Sequence, residues 1–109
     1  MSEMTLREVC NLLGVPRRAV QGYEEVGLVS PSGKNKYGYL LYNEHTIDRI
    51  RIIKLYQDFG FAVKEIKVLL EAPDDVYVRM LEDRLEIMRT ELKNLEVNIE
   101  KIKRLIFDK

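Results

Sequence analysis

The sequence predicts a mainly α-helical fold: a helical head carrying a small β-hairpin, followed by one long C-terminal helix. Three observations carry that expectation. Two short helical patterns stand on either side of the turn Gly14-Val15. Between Leu28 and Tyr42 the spacing changes to strand-forming residues around a polar loop. From Val78 to Ile106 apolar residues recur at alternating intervals of three and four, which is the pattern of a coiled-coil seam.

The first helix is announced by Thr5-Leu6-Arg7-Glu8. A threonine that can cap, followed three residues later by glutamate, is a capping box. Leu6, Val9, Cys10 and Leu13 follow at helical spacing, and Gly14 is the residue type that ends helices. Pro16 suits the first position of a second helix, where its missing N–H costs nothing. That helix is predicted to run through about Glu25 and to end at Gly27. Two short helices joined by so tight a turn form a helix-turn-helix pattern, although many αα-hairpins share it.

Val29, Tyr37, Tyr39, Leu41 and Tyr42 favour strands and enclose the polar stretch Ser30 to Lys36. The reading is a β-hairpin, or wing, with Lys34 and Lys36 at a basic tip; the alternative is an irregular surface loop. Asn43 can cap a third helix with Glu44 in its first turn. Ile47, Ile50, Ile53 (or Ile52), Leu55 and Tyr56 would be its apolar face. Asp58-Phe59-Gly60-Phe61 interrupts it, and Val63, Ile66, Leu69 and Leu70 mark a short fourth helix. Ala72-Pro73 ends that helix, and Asp74 or Asp75 would cap the next. The expected division is a winged helix-turn-helix head over residues 1–72 and a dimerisation helix over residues 73–109.

The last helix carries the clearest periodicity. Val78, Leu81, Leu85, Met88, Leu92, Leu95, Ile99, Ile102 and Ile106 form an unbroken seam of about four heptads. Glutamates, lysines and arginines fill the intervals, as on solvated helix faces. At 1.5 Å per residue the helix would be on the order of 50 Å long. A head of about 70 residues cannot cover that length. Each aliphatic side chain left exposed forgoes roughly 1.5–3 kcal/mol. A second copy of the same helix is the expected cover, the alternative being a helix folded back on its own head. The seam itself does not fix the orientation of the pair.

Composition bounds the function. Of 109 residues, 46% are apolar and 33% charged, an ordinary mixture for a globular chain with long exposed helices. No apolar run approaches the roughly 18 residues of a membrane span. Met1-Ser2-Glu3-Met4 lacks the basic flank and apolar stretch of a leader, so a cytoplasmic location and no membrane partner are expected. With Cys10 as its single cysteine and His45 as its single histidine, the chain cannot build an internal disulfide or a structural zinc site. Cys10 reads as a small core hydrophobe. Net charge is zero, but Arg17-Arg18 and Lys34 to Lys36 concentrate positive charge in two short segments. No phosphate-binding glycine loop and no nucleophile with a partner occurs, and adjacent Glu24 and Glu25 face different sides of a helix. The expectation is a non-enzymatic protein without metal or cofactor.

In several of these segments the chain resembles the MerR family of bacterial transcriptional regulators. The likeness runs through Thr5 to Val15, Tyr23-Glu24-Glu25-Val26-Gly27-Leu28-Val29 and Gly38-Tyr39-Leu40-Leu41-Tyr42. It continues through Ile50 and Ile53 to Phe59-Gly60-Phe61 and Glu65-Ile66, covering about residues 4 to 71. The resemblance implies a second helix that enters the major groove and a wing that grips the backbone. It also implies an antiparallel coiled coil through Leu81, Leu85, Met88, Leu92, Leu95, Ile99, Ile102 and Ile106. The implied partners are double-stranded promoter DNA at a palindromic site, a second copy of the chain, and RNA polymerase, with the DNA bent and untwisted.

On that resemblance Arg17 and Arg18 would take guanine edges or phosphates, with Gln21 beside them. Tyr23 matches a family tyrosine that reaches a phosphate oxygen, the alternative being a core residue. Lys34, Lys36, Tyr37 and Tyr39 would meet phosphate or sugar. Tyr42 reads as core, Arg49 and Arg51 as solvated charges, and His45 as a surface residue. The chain also departs from the family. Gln21-Gly22-Tyr23 stands where Arg-Tyr-Tyr is usual, Leu40 replaces an arginine, and Ala19 replaces a common threonine. Two fewer arginines per head imply weaker binding and a shallower salt dependence. Family metal sensors carry cysteines near the end of the dimerisation helix, and this chain has none there. Metal sensing is therefore not expected, while an organic effector between head and coil, a regulator without an effector, and control by amount or by a partner protein all stay open. Two other readings stay open: a coiled-coil interaction module whose head has lost DNA affinity, and an architectural DNA-binding factor of the excisionase type.

Overall fold

The computed structural model describes residues 3–109. Met1 and Ser2, on which the expectation of no leader partly rests, lie outside the described residues. The chain divides into two compact units, one ending at Glu71 and the other spanning Ala72–Lys109.

The first unit runs β1 (Met4–Thr5), α1 (Leu6–Leu13), α2 (Arg17–Glu25), β2 (Gly33–Lys34), β3 (Leu40–Tyr42), α3 (Glu44–Asp58) and α4 (Val63–Glu71). Both halves of the capping box form. The Thr5 N–H donates to Glu8 Oε1 at 2.9 Å, and the Glu8 N–H donates to Thr5 Oγ1 at 3.3 Å. The backbone donor, then the Thr5 hydroxyl, hold the Glu8 carboxyl below its ordinary pKa. Gly14 ends α1 in the left-handed region at φ 66°, its N–H donating to the Cys10 carbonyl. Pro16 stands one residue earlier than expected. It is the N-cap of α2, at φ −74° and ψ 152°, and Arg17 is the first helical residue. Its carbonyl, accepting from the Ala19 N–H at 3.0 Å, begins the helix.

The wing also differs from the sequence expectation. It is a three-stranded antiparallel sheet in the order β1-β3-β2. Two residues ahead of α1 supply the extra strand, pairing Met4 with Tyr42 and Thr5 with Leu41. Gly33 and Lys34, expected in the loop, form β2 opposite Leu41 and Leu40. Tyr37 and Tyr39, expected in strands, belong to the turn between β2 and β3, and Val29 is buried in the loop after α2.

The core of this unit is built from Val9, Val20, Tyr23, Tyr42, Ile50, Ile53, Ile66 and Leu69. On α3 the buried residues are Thr46, Ile47, Ile50, Ile53 and Tyr56, while Ile52 and Leu55 are exposed. The stripe follows every third residue from Ile47, which leaves Leu55 off the core-facing side. Asn43 caps α3, its Oδ1 accepting from the Thr46 N–H at 3.0 Å. Phe61 packs edge-on against Tyr56 with ring centroids 6.3 Å apart.

Two phenols fix α2 to its surroundings. Tyr42 Oη donates to Glu24 Oε2 at 2.6 Å, and Tyr23 Oη donates to Gln57 Oε1. Burial, then the Glu24 carboxylate that accepts its proton, push the Tyr42 pKa far above the tyrosine value of 10.0. Burial, then the charge of Asp58, raise Tyr23. Unfolded phenols lose their protons near pH 10.0, while the folded head holds them. This stabilisation is complete below that pH and is lost as pH rises above it. The thermal midpoint should therefore be flat near neutrality and fall in alkali. Tyr42→Phe should lower the midpoint at neutral pH, by roughly 1–2 kcal/mol of stability, and flatten the alkaline decline. Melts followed by circular dichroism across the alkaline range would check both.

The second unit is α5 (Asp74–Phe107), a helix of 34 residues. Pro73, not an aspartate, is its N-cap, at φ −66° and ψ 159°. Asp74 and Asp75 instead lie in the first turn, where negative charge meets the positive helix end. No residue of α5 is buried in the single chain. Val78, Leu85, Met88, Leu92, Leu95, Ile99, Ile102 and Ile106 are 43–69% exposed, and Leu81 is half-exposed. Among the described residues, no helix is long and apolar enough to cross a membrane.

Candidate nucleic-acid interface

The N-terminal end of α2 is electropositive for two reasons. Its first-turn N–H groups have no side-chain cap, and no acidic residue stands in that turn. Arg17 and Arg18 add two charges there, both exposed. Val20 and Tyr23 are the buried residues of this helix. Arg17 and Gln21, four residues apart, share another face and are exposed. The core thus presents that face outward, clamped by the Tyr23–Gln57 and Tyr42–Glu24 hydrogen bonds.

The wing tip is held by Asn35. Its Oδ1 accepts from the Tyr37 N–H at 2.9 Å and the Tyr39 N–H at 3.0 Å. Its backbone N–H donates to the Tyr39 carbonyl at 2.9 Å, and its carbonyl accepts from the Gly38 N–H at 3.0 Å. Gly38 closes the turn at φ 84°, a conformation that favours glycine. The turn leaves Tyr37 72% and Tyr39 64% exposed, with Lys36 Nζ 5.2 Å above the Tyr37 ring. Asn35 was not among the expected site residues. Its signal was nevertheless in the sequence, since Asn35-Lys36-Tyr37-Gly38 has the asparagine and glycine of a four-residue turn.

Helix and wing meet around one concavity, lined among others by Arg7, Arg17, Gln21, Tyr39 and Leu40. Gln21 and Leu40, two of the departures from the family pattern, therefore share one surface. Lys34 lies on exposed β2 and Lys36 in the turn, so only Lys36 sits at the tip. Tyr23 lies in the core at 1% exposure, with its hydroxyl already donating a hydrogen bond to Gln57 Oε1. A phosphate contact would require that bond to break. Gly22 lies mid-helix without forcing a break, and a Cβ there would meet nothing within 4 Å. Arg49 is not a free charge: its Nε donates to the Leu28 carbonyl at 3.0 Å and ties α3 to the loop leaving α2. Arg51 pairs with Asp48 on the surface, and His45 is exposed. Cys10 is half-buried, and burial, only partly offset by Arg17, raises its thiol pKa. Among the described residues, no group of three His, Cys, Asp or Glu side chains could hold a metal ion.

Comparison with known proteins places this architecture. The family model of MerR HTH regulatory proteins matches residues 4–73, and a MerR DNA-binding model matches residues 47–106. The chain belongs to the MerR family. Its matched residues carry the family's helix-turn-helix and DNA-binding regions. The multidrug-efflux transporter 2 regulator of Bacillus subtilis is 33% identical over 84% of this chain and 35% of its own length. The mercuric resistance operon regulatory protein of Bacillus cereus is 29% identical over 90% of this chain and 74% of its own. The chain thus spans about a third of the first relative. Among solved structures, the N-terminal part of the Bacillus subtilis multidrug transporter activator superposes with a TM-score of 0.73 at 26% identity. That match covers 94% of this chain and 97% of that one. A MerR regulator lacking the sensor domain, HiNmlR, was solved bound to promoter DNA. It matches with a TM-score of 0.57 at 20% identity, over 96% of this chain and 79% of its own, a likeness of fold.

Proposed function

We propose that this chain binds a palindromic promoter element as a homodimer and distorts it, acting on transcription through the duplex and RNA polymerase. The observation that carries the reading is the shared concavity. The uncapped, arginine-bearing end of α2 and the tyrosine-bearing wing tip border one surface. Arg17, Arg18 and Gln21 face the major groove, while Lys34, Lys36, Tyr37 and Tyr39 meet phosphate and sugar and set orientation. Tyr23 acts from the core, holding α2 against α3. Leu81, Leu85, Met88, Leu92, Leu95, Ile99, Ile102 and Ile106 join the two copies. The domains are the head through residue 72 and the helix from residue 73. Sedimentation of the protein with a labelled promoter duplex should give two chains per duplex, and end-to-end energy transfer on that duplex should report bending. One chain per duplex would contradict the reading.

A second reading, an interaction module with weakened DNA affinity, is favoured by one specific observation. Gln21 and Leu40 put an amide and an alkyl group on the concavity where two arginines would bring charge. Gln21→Arg with Leu40→Arg should tighten DNA binding. It should also steepen the slope of log K against log salt by up to about 3–4 for a dimer, at roughly 0.9 per additional phosphate neutralised. An unchanged slope in a salt titration would mean that neither residue faces phosphate.

A further inference from the structure

Five exposed residues flank the α5 seam at seven-residue intervals: Asp75, Glu82, Arg89, Glu96 and Lys103. From Glu82 onward their signs alternate along the helix. With Leu85, Leu92, Ile99 and Ile106 at heptad position a, and Leu81, Met88, Leu95 and Ile102 at d, these five occupy position e. The opposite flank, position g, holds Arg84, Glu91, Asn98 and Leu105. Arg89 and Lys103 each touch a glutamate one turn earlier, Glu86 at 2.9 Å and Glu100 at 3.5 Å. Both pairs are 65–71% exposed, so water screens them and the cations can be shared with another partner.

We infer that this alternation is a register code: within the antiparallel pair of α5 helices that the family resemblance implies, it fixes a single axial alignment of the two copies. The inference rests on the homodimer proposed above and specifies how that dimer is built. In a parallel pair, each g residue faces the e residue five places further along the other helix. Arg84 would then face Arg89 and Glu91 would face Glu96, both like-charged. In an antiparallel pair related by a twofold axis, e faces e and g faces g. One register packs Leu92 on Leu95 of the second copy, Met88 on Ile99, Leu85 on Ile102 and Leu81 on Ile106. Every seam residue from Leu81 to Ile106 then has an apolar partner. In that same register Glu82 faces Lys103 and Arg89 faces Glu96, each twice by symmetry. On the other flank Arg84 faces Leu105 and Glu91 faces Asn98, so no like charges meet. The Arg84–Glu91 pair at 3.5 Å stays within each chain.

Neighbouring registers are penalised by the same residues. A slip of one heptad in one direction sets Arg89 against Arg89 and Glu82 against Glu96, with Asp75 against Lys103 as its one kind of unlike pair. A slip in the other direction sets Glu96 against Glu96 and Arg89 against Lys103. A slip of two heptads brings Glu82 against Arg89, with Asp75 against Glu96, or in the other direction Glu96 against Lys103, and either way leaves at least three seam residues without partners. The pattern therefore attracts in one arrangement and repels in its nearest competitors, which is how flanking charges give coiled coils their specificity. Each head joins the N-terminal end of its helix, and a heptad slip slides one helix along the other by about 10 Å. The code consequently sets the span between the two points at which heads are attached.

Charge-swapped copies test this. In an Arg89→Glu homodimer the new carboxylates face Glu96 twice, and in a Glu96→Arg homodimer the new guanidinium groups face Arg89 twice. Mixing the two variants restores unlike charges at all four contacts. Each variant alone should show a homodimer dissociation constant raised on the order of tenfold. The mixture should form heterodimer well above its statistical share, a preference that fades at high salt. In a Cys10→Ser background, Leu92→Cys copies should cross-link with Leu95→Cys copies faster than with Met88→Cys copies. A dimeric wild type with indifferent charge variants, or with the Leu92→Cys and Met88→Cys link dominant, would overturn the code and leave the dimer standing. A monomeric wild type in sedimentation would overturn the dimer and the code together.

Discussion

Leu85→Asp combined with Leu92→Asp is expected to turn the protein into a monomer at micromolar concentration while the head stays folded. Both leucines are exposed in the single chain, 45% and 60%, so the free helix hardly registers their loss. The dimer does register it. Four buried leucines per pair are removed, each contributing roughly 1.5–3 kcal/mol. Four carboxylates are also forced into a seam that desolvates them. Staying paired at micromolar concentration requires about 8 kcal/mol, and a loss of this size is expected to take the variant below it. The head keeps its own core, because Val9, Val20, Tyr23, Ile50, Ile53 and Ile66 belong to the first unit. Sedimentation should therefore show the variant at half the wild-type mass, with a head melting transition little changed. DNA affinity should fall as well, since two unlinked heads lose the millimolar effective concentration that a link supplies.

Arg17→Ala with Arg18→Ala is expected to lower affinity for a selected DNA site by on the order of a hundredfold or more at physiological salt. Both side chains are exposed at the uncapped start of α2, so alanine removes charge without opening the core. A dimer loses four cations, and the salt slope becomes shallower by about 0.9 for every phosphate they no longer neutralise. An arginine that reads a guanine edge contributes roughly 1–3 kcal/mol of discrimination besides. Fluorescence anisotropy at several salt concentrations separates the two roles. A fall that is uniform across DNA sequences marks phosphate contacts, and a fall confined to the selected site marks base reading. Unchanged affinity would remove both residues from the interface.

How much of the fold and the interface was legible in the sequence depended on the range of the forces involved. The capping box of Thr5 and Glu8, the Gly14 stop, the Asn43 cap and the α5 seam were all readable, because each is set by neighbours within a few residues. The wing was readable as a feature but not in detail. β1 and β2 are two residues each, too short for any alternation to show, and they exist because β3 supplies a partner from elsewhere in the chain. Tyrosines at 37 and 39 looked like strand formers, yet the Asn35 side chain organises them into a turn. Tyr23 and Arg49 show the same limit from the other side. Their polar ends are engaged by Gln57 and the Leu28 carbonyl, contacts that span 34 and 21 residues. The clustering of Gln21 and Leu40 on one concavity likewise required the fold to bring helix and wing together.

The claim that two arginine-bearing heads, joined by α5, read a palindromic duplex is tested most directly by selecting duplexes from a random DNA pool with the full chain. The expected result is enrichment of an inverted repeat whose two half-sites keep a constant spacing, with enrichment lost for Arg17→Ala/Arg18→Ala. A pool that remains random, or that yields a single half-site without its symmetric mate, would contradict it.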